Sequence, residues 1–271
     1  MQRTVKILDI LAVNKTVKIS MLADMLGISN VTLRKELNKL EKRGIIKRSH
    51  GYVSLEGADI TSKRLAFNHL VKRKIAKAAS DTIGEGETIM LESGSCCALF
   101  AEELVLARKN ITIVTNSTFI ANYVSDLSDI KIILLGGCFQ PDSQVAVGPM
   151  TINCAESIFC DKFFIGVDGF VPDIGFTGSD LLRAETVMGL TKRANKVFVI
   201  TDAEKFYRRG TYSLISMDKL TGVFTDVNIP KEAEASLLKN NVILHKITIV
   251  DEKIKWRQYP ELPPFLYTTK E

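Results

Sequence analysis

The chain has 271 residues, a formal net charge of +5 and five cysteines, and 46% of its residues are hydrophobic. This length allows a sizeable core and predicts a small domain joined to a larger α/β domain, while no apolar run reaches the ~18 residues of a membrane span. The odd cysteine count, without CxxC or Cys/His spacing, argues against a zinc site, and without a signal peptide we expect a reduced, cytoplasmic protein with no metal or cofactor.

The positive charge is concentrated near the N-terminus. Residues 1–57 hold 11 Lys and Arg but only 5 Asp and Glu, whereas residues 58–271 hold 25 and 26. A basic segment of this kind is typical of nucleic-acid binding. The remainder of the chain offers no second nucleic-acid surface on the basis of charge.

Two helices and a tight turn are predicted in this basic segment, after a first helix over residues 2–14. Ser20 is predicted to cap a helix over residues 21–26, and Gly27 to end it because glycine tolerates positive φ. Ser29 or Asn30 then caps a helix that runs to residue 43. The apolar positions of this helix fall at i, i+4 and i+7, which predicts a buried face: Leu33, Leu37 and Leu40.

The exposed face of that helix and the basic hairpin after it, residues 45–53, are predicted to meet DNA. A major groove admits one helix and is read mainly by its first turns, whereas lysines nearby contact phosphates. A pair of solvated amphipathic helices is the alternative, but it does not explain the ordered cap, turn, helix and wing. The predicted DNA-binding residues are Ser29, Asn30, Thr32, Arg34, Lys35, Asn38, Lys39, Lys47, Arg48 and His50.

Beyond residue 70, short apolar strands alternate with helices. Strands are predicted at 88–91, 111–115, 130–135, 162–167, 197–201, 222–225 and 242–250, and helices at 70–83, 98–107, 118–125, 150–158, 181–194 and from Pro230 onward. This alternation predicts an α/β fold in which a winged helix-turn-helix domain precedes a Rossmann-like, doubly wound, mainly parallel sheet. We divide the chain into a DNA-binding domain (1–57), a linker and connecting helix (58–83), an effector-binding α/β domain (84–250) and a tail (251–271).

Small, hydroxylated and charged residues follow the predicted strands, at the sheet edge where ligands bind. A Ser-Gly-Ser turn at a helix N-terminus suits a phosphate, and Asp168, Glu92 and Lys205 can hold hydroxyls or add charge. Any β–α loop uses such residues for turns and caps, but five loops at one edge predict a pocket. The predicted effector-binding residues here are Glu92, Ser93, Gly94, Ser95, Cys96, Asn116, Ser117, Gly136, Gly137, Asp168 and Lys205.

Motifs spread over about residues 2–250 resemble the DeoR family of bacterial transcriptional regulators. In the N-terminal part they are LGIS (26–29), TLRKEL (32–37), LE (40–41), GIIKR (44–48) and HG (50–51). In the C-terminal part they are TNS (115–117), LGG (135–137), VGP (147–149), DK (161–162), GVDG (166–169), DAEKF (202–206) and TD (225–226).

This resemblance implies a repressor, or less often an activator, of carbohydrate-metabolism genes that responds to a phosphorylated sugar. It further implies an effector domain similar in fold to ribose-5-phosphate isomerase, a double-stranded DNA operator, a homo-oligomer (dimer or tetramer), and Glu185 as a further effector-binding residue. Two positions depart from the family. The usual Asp-Ala-Gly-Thr-Thr phosphate loop reads ESGSC at 92–96, and Val187 and Met188 replace a basic pair.

Two other functions are compatible with the same residues. A sugar-phosphate isomerase with a fused DNA-binding domain needs a general base, for which Glu92, Asp168, Glu185 and Lys205 are available. A thiol redox sensor would use Cys96, Cys97 and Cys138 and needs an exposed thiol with a depressed pKa. We expect a regulator that is not an enzyme.

Overall fold

The structure is a computed structural model that describes residues 2–14, 16–55, 60–107, 110–125, 127 and 130–248. The predicted tail, 251–271, therefore lies outside the described residues. No helix among the described residues is long and apolar enough to span a membrane.

The N-terminal domain is a winged helix-turn-helix. Its elements are α1 (Gln2–Asn14), β1 (Thr16–Lys18), α2 (Ile19–Leu26), α3 (Asn30–Lys42), β2 (Ile46–Ser49) and β3 (Tyr52–Leu55). Gly27 ends α2 with a left-handed φ of 61°, and Ser29 caps α3 by accepting a hydrogen bond from the Thr32 backbone N–H at 3.2 Å. The predicted cap at Ser20 is wrong, since α2 begins at Ile19 and Lys18 precedes it without a side-chain cap. Strand β1 was not predicted; it pairs with β3 and completes a three-stranded wing.

Two helices connect the wing to the large domain, and both pack against other helices. They are α4 (Ile60–Ala66) and α5 (His69–Asp81). Helix α4 contacts α1 on one side and α6 (Ser95–Leu106) on the other, while α5 packs along α6. Leu65 and Ala66 are buried in a single hydrophobic cluster that includes Leu8 of α1 and Phe100 of α6. The two domains therefore share a continuous core.

The large domain is built on a seven-stranded, entirely parallel sheet. Its strands are β4 (Thr88–Leu91), β5 (Thr112–Thr115), β6 (Lys131–Leu134), β9 (Cys160–Ile165), β12 (Ala194–Ile200), β14 (Gly222–Asp226) and β15 (Ile243–Ile247). They lie in the order β15-β14-β12-β9-β4-β5-β6. The predicted doubly wound sheet is thus confirmed.

Helices cover both faces of this sheet, because its strands alternate buried side chains between two cores. Ile89 and Leu91 belong to the cluster on one face and Met90 to the cluster on the other. The first face carries α5, α6 and α7 (Thr118–Ser125); the second carries α9 (Leu181–Leu190) and α10 (Lys231–Lys239), with α8 (Pro149–Cys154) packed beside α9.

Several short antiparallel strands were not predicted, because three to five residues carry little periodicity. Strands β7 (Cys138–Gln140) and β8 (Val145–Val147) form a hairpin, whereas β10 (Gly169–Val171), β11 (Gly175–Gly178) and β13 (Tyr212–Ser216) form a small sheet. Helix α9 also ends four residues earlier than predicted, followed by a 3-10 turn over Thr191–Arg193.

Candidate functional site

A cavity of about 300 Å³ opens at the carboxyl ends of β4, β9 and β12. Strands β4 and β9 are neighbours in the sheet, but β5 and β6 lie on one side of the pair and β12, β14 and β15 on the other. Such a topological switch point leaves a crevice between the diverging loops, which is where ligands bind in open α/β sheets. The loops after β4 (residues 93–96), β9 (166–168) and β12 (201–208) line it.

The turn after β4 forms one wall of the cavity. Gly94 precedes α6 with a φ of 119°, so the first N–H groups of α6 begin at Ser95, beside the cavity. Gly166, at the end of β9, approaches this turn so closely that an added Cβ would lie 2.7 Å from the Ser93 carbonyl oxygen. A larger residue at position 166 would therefore push the two strand ends apart.

Arg183 reaches this turn from α9. Its Nη2 donates to Glu92 Oε1 and to Ser93 Oγ, both at 2.9 Å, and Ser93 Oγ donates to Glu92 Oε1 at 2.7 Å. The Glu92 side chain is only 2% exposed. Glu92 therefore lies behind the cavity as the counter-charge of Arg183 and does not line it.

Helices α4 and α5 close the cavity from the side of the DNA-binding domain. Arg64 Nη1 of α4 lies 3.1 Å from Asp168 Oδ1. Lys72 Nζ of α5 donates to the carbonyl oxygens of Arg64 and Phe67 at 2.5 and 2.6 Å and lies 3.5 Å from Asp202 Oδ2. A buried lysine thus fixes the last turn of α4 against the end of β12.

Burial and neighbouring charges perturb the ionisable groups of the cavity. Burial by itself would raise the pKa of Asp168. The charges of Arg64, Arg183 and Lys205 outweigh this effect, so the pKa of Asp168 lies below its usual value and the carboxyl group is ionised. Burial and then Arg64 lower the pKa of Lys205. Asp202 Oδ1 is buried without a hydrogen-bond partner among the described residues, so a ligand hydroxyl can donate to it.

The charge of the lining is positive. Three carboxylates, Asp168, Asp202 and Glu204, face an excess of cationic side chains. The cations are Lys63, Arg64, Lys72, Arg183, Lys205 and Arg208. The cavity therefore combines an anion-binding character with acceptors for hydroxyl groups.

The structure brings six of the predicted effector residues to this cavity: Ser93, Gly94, Ser95, Cys96, Asp168 and Lys205. Of the others, Asn116 Nδ2 donates to Ala146 O at 2.8 Å, and Ser117 Oγ accepts from the Ile120 N–H in the first turn of α7. An added Cβ at Gly137 would lie 2.0 Å from Thr151 Oγ1, so close packing accounts for this glycine.

The last two predicted effector-binding residues also lie outside the cavity lining. Gly136 follows β6 on the far side of the switch point, outside the cavity lining, and Glu185 is exposed on α9. The expectation that five strand-end loops converge on one pocket is therefore corrected to three. The loops after β5 and β6 instead hold the β7–β8 hairpin.

The cysteines near the cavity have the properties of buried packing residues. Burial raises the pKa of Cys96 to about 12 and that of Cys97 well above its usual value. A reactive thiol needs exposure and a depressed pKa. Cys96 and Cys97 therefore lack the features that the redox-sensor hypothesis requires.

The predicted DNA-binding residues of α3 lie on its outer face, opposite the buried Leu33, Leu37 and Leu40. Ser29 caps the helix and Thr32 is half-buried, while the remaining α3 residues, together with Lys47 and His50 of the wing, are exposed: Asn30, Arg34, Lys35, Asn38 and Lys39. Arg48 differs, because its guanidinium is ion-paired with Glu41 and its Nε donates to Glu41 Oε2 at 2.8 Å. Arg48 thus supports the wing.

Sequence reasoning missed Arg64, Lys72 and Arg183. None of them follows a strand of the sheet, so the strand-end rule gave no signal for them. Asp202 and Glu204 both follow a predicted strand and line the cavity, so the strand-end rule could have found them, although neither is among the predicted effector residues.

Comparisons with known proteins match both domains. A family model of the DeoR C-terminal sensor domain matches residues 68–227, and one of the DeoR-like helix-turn-helix domain matches residues 3–58. The chain is 26% identical over 247 residues to a putative aga operon transcriptional repressor of Escherichia coli O157:H7, covering 89% of this chain and 91% of that protein. It is 29% identical over 234 residues to the HTH-type transcriptional regulator GolR of Listeria innocua, covering 85% and 92%. Among solved structures, ribose 5-phosphate isomerase A of Methanocaldococcus jannaschii matches with 20% identity and a TM-score of 0.38, covering 51% of this chain and 55% of that one.

Proposed function

We infer, from the fact that this chain belongs to the DeoR family of DNA-binding transcriptional regulators, that it represses carbohydrate-metabolism genes and is controlled by a phosphorylated sugar. The sugar binds in the cavity between β4, β9 and β12, and α3 with the wing binds the operator. Cytoplasmic location and the domain boundaries given above belong to the same proposal.

The ligand class is supported by the charges of the cavity. The lining has six cationic and three carboxylate side chains, and Glu92 behind it compensates one cation. The remaining excess of two positive charges matches a phosphate monoester near neutral pH. Asp168 and the unpartnered Asp202 Oδ1 supply acceptors for sugar hydroxyls.

The observation that carries the regulatory part of the proposal is the ion pair between Arg64 and Asp168. Arg64 lies on α4, which begins at Ile60 and is the next described element after the wing strand that ends at Leu55. A ligand shifts a conformational equilibrium only through different affinities for two states. A phosphate that competes with Asp168 for Arg64 supplies that difference and alters how α4 packs on α1.

An isomerase function is less well supported by the same geometry. Proton abstraction at neutral pH is most efficient with a base whose pKa lies near 7. Asp168 has a lowered pKa, and Glu92 is held by Arg183. We therefore expect no interconversion of aldose and ketose phosphates by the purified protein.

The proposal is tested by calorimetry of the full chain with a panel of phosphorylated and unphosphorylated sugars. One phosphorylated sugar should bind, and its unphosphorylated counterpart should not. Ser95→Asp should abolish binding by placing a carboxylate at the start of α6. Lys205→Ala should weaken it by about 1.5–3 kcal/mol, the range for a hydrogen bond to a charged group.

Lys239→Ala is a matched control, since Lys239 lies on α10 in an exposed ion pair with Asp173. All three variants should still bind the operator. If sugar affinity is the same in the wild type, Ser95→Asp and Lys205→Ala, the effector site lies elsewhere.

A further inference from the structure

Helix α9 presents an exposed stripe that the cavity and the DNA-binding surface do not use. Leu181 is 47% and Met188 41% exposed, although both are large apolar residues. Glu185 lies between them on the same side, and Lys192 continues the stripe in the 3-10 turn that follows. The spacing i, i+4 and i+7 places Leu181, Glu185 and Met188 on one face of the helix. Lys192 is exposed in the 3-10 turn that follows.

The opposite side of α9 is fully occupied, which fixes the orientation of the stripe. Ala184, Val187 and Leu190 are buried in the core beneath the sheet. The Thr186 hydroxyl accepts a hydrogen bond from the Gly148 N–H at 2.8 Å and so fixes the start of α8. The exposed residues of α9 therefore cannot be absorbed into the core by rotating the helix.

Two more large apolar residues are exposed on elements beside α9, since α8 contacts α9 and β7 pairs with β8, which also contacts α9. Phe139 of β7 is 50% exposed and Met150 of α8 is 68% exposed. Gln140, which follows Phe139, donates to Asp180 Oδ1 at 3.2 Å, at the N-cap of α9. Single exposed apolar residues are ordinary on a protein surface, whereas several on adjoining elements favour an interaction site.

The two charges of the stripe are complementary to each other and unpaired. Neither Glu185 nor Lys192 has an ion-pair partner among the described residues. They lie seven residues apart, about 10 Å along a helix. If two copies of α9 cross antiparallel about a two-fold axis near Met188, Glu185 of each copy faces Lys192 of the other, as an isologous interface requires.

We propose that this stripe is the interface with a second copy of the chain. Met188 lies at its centre, the two Glu185–Lys192 pairs on either side set the antiparallel register, and Leu181 lies further out along the helix. A dimer also agrees with the presence of a helix-turn-helix domain, because helix-turn-helix proteins commonly bind two DNA half-sites as dimers. Arg183, on the same helix, lines the ligand cavity, so the interface adjoins that site.

The test is sedimentation velocity of the full-length protein over a range of concentrations, with charge reversals on the stripe. Glu185→Lys and Lys192→Glu should each raise the dimer dissociation constant by about tenfold or more, since like charges then face each other. The double variant should restore the wild-type constant, because the pair is re-formed with its signs exchanged. This rescue distinguishes a direct contact from a general effect of surface charge.

Met188→Glu should dissociate the dimer more strongly, because two carboxylates would meet near the two-fold axis. The matched control is Leu238→Glu, since Leu238 is 56% exposed on α10; it should leave association unchanged. Circular dichroism melting checks that each variant is folded, and the charge reversals decide the question if Met188→Glu does not fold. A wild type that stays monomeric, reversals without effect, or a double variant that does not recover would each overturn the proposal, whatever the protein binds in its cavity.

Discussion

Arg43 directly follows α3, the second helix of the helix-turn-helix, which is called the recognition helix. Its Nη1 donates to Glu102 Oε1 of α6 at 2.9 Å. Glu102 also accepts from the Tyr123 hydroxyl at 2.8 Å, and the Arg43 guanidinium lies 5.1 Å from the centre of the Tyr123 ring. Helix α6 therefore lines the cavity with its first turn and, two turns later, holds Arg43 at the end of the recognition helix.

Glu102→Gln should destabilise the protein and loosen the recognition helix. The change leaves Arg43 without its anionic partner, and we expect the free energy of unfolding in urea to fall by about 1–3 kcal/mol. Operator affinity should also change, because the position of α3 is no longer fixed to α6.

Glu103→Gln is the matched control for this variant. Glu103 accepts from Arg73 Nε at 2.9 Å, and this pair joins α5 to α6 without touching α3. Its loss should lower stability but leave operator affinity unchanged. Equal effects of the two variants on DNA binding would remove the special role of Arg43.

Arg34→Ala and Lys39→Ala should affect DNA binding in different ways. Arg34 lies in the second turn of α3, where side chains reach base edges, so its loss should weaken operator binding by roughly 1–3 kcal/mol and relax sequence preference. Lys39 lies further along α3 and should contact phosphate. Its loss should weaken binding to all sequences alike and reduce the salt slope by about one unit. A footprinting titration in which Arg34→Ala keeps its affinity and preference would exclude base contact.

The two basic residues of the first wing strand should differ as well. Lys47 is exposed, whereas the charge of Arg48 is neutralised by Glu41. Lys47→Ala should therefore reduce the salt dependence of DNA binding by about one unit. Arg48→Ala should reduce it less and should instead lower the melting temperature. The opposite ranking of the two salt slopes would mean that the Arg48–Glu41 pair opens on DNA.

Acid should destabilise the protein through His69. Burial lowers the pKa of this imidazole to about 4, and its Nδ1 lies 3.1 Å from the Leu65 carbonyl oxygen. The unfolded chain binds a proton near pH 6.5 and the folded chain only near pH 4, so stability is complete above pH 6.5 and is lost as pH falls between these values. The full loss is about 3 kcal/mol.

The measurement is urea unfolding of wild type and His69→Gln between pH 7 and pH 4. Burial raises the pKa of Asp9 to about 6, which stabilises the fold at low pH and opposes the effect of His69. Both proteins carry Asp9, so its contribution cancels in the difference between them. A difference that does not depend on pH would show that the pKa of His69 is the same in the folded and the unfolded chain, contrary to this prediction.

The sequence determined those parts of the protein that depend on local chemistry. Gly27 and Ser29 set the boundaries of two helices because a left-handed backbone and a side-chain acceptor act within a few residues. Alternating strands and helices identified the parallel sheet, since only a core on both faces accounts for such short apolar strands. The Ser-Gly-Ser turn, Asp168 and Lys205 were found because each follows a strand.

The tertiary structure decided which of these residues meet. The placement of β9 beside β4 puts the switch point between them, so the loops after β4, β9 and β12 converge on the cavity. Asn116 instead donates to β8, and Gly137 packs against α8. Arg64, Lys72 and Arg183 reach the cavity from helices distant in the chain. Their position at the cavity depends on how the helices pack on the sheet. Strand order and helix packing are determined by burial between residues distant in sequence, for which local residue patterns carry no signal.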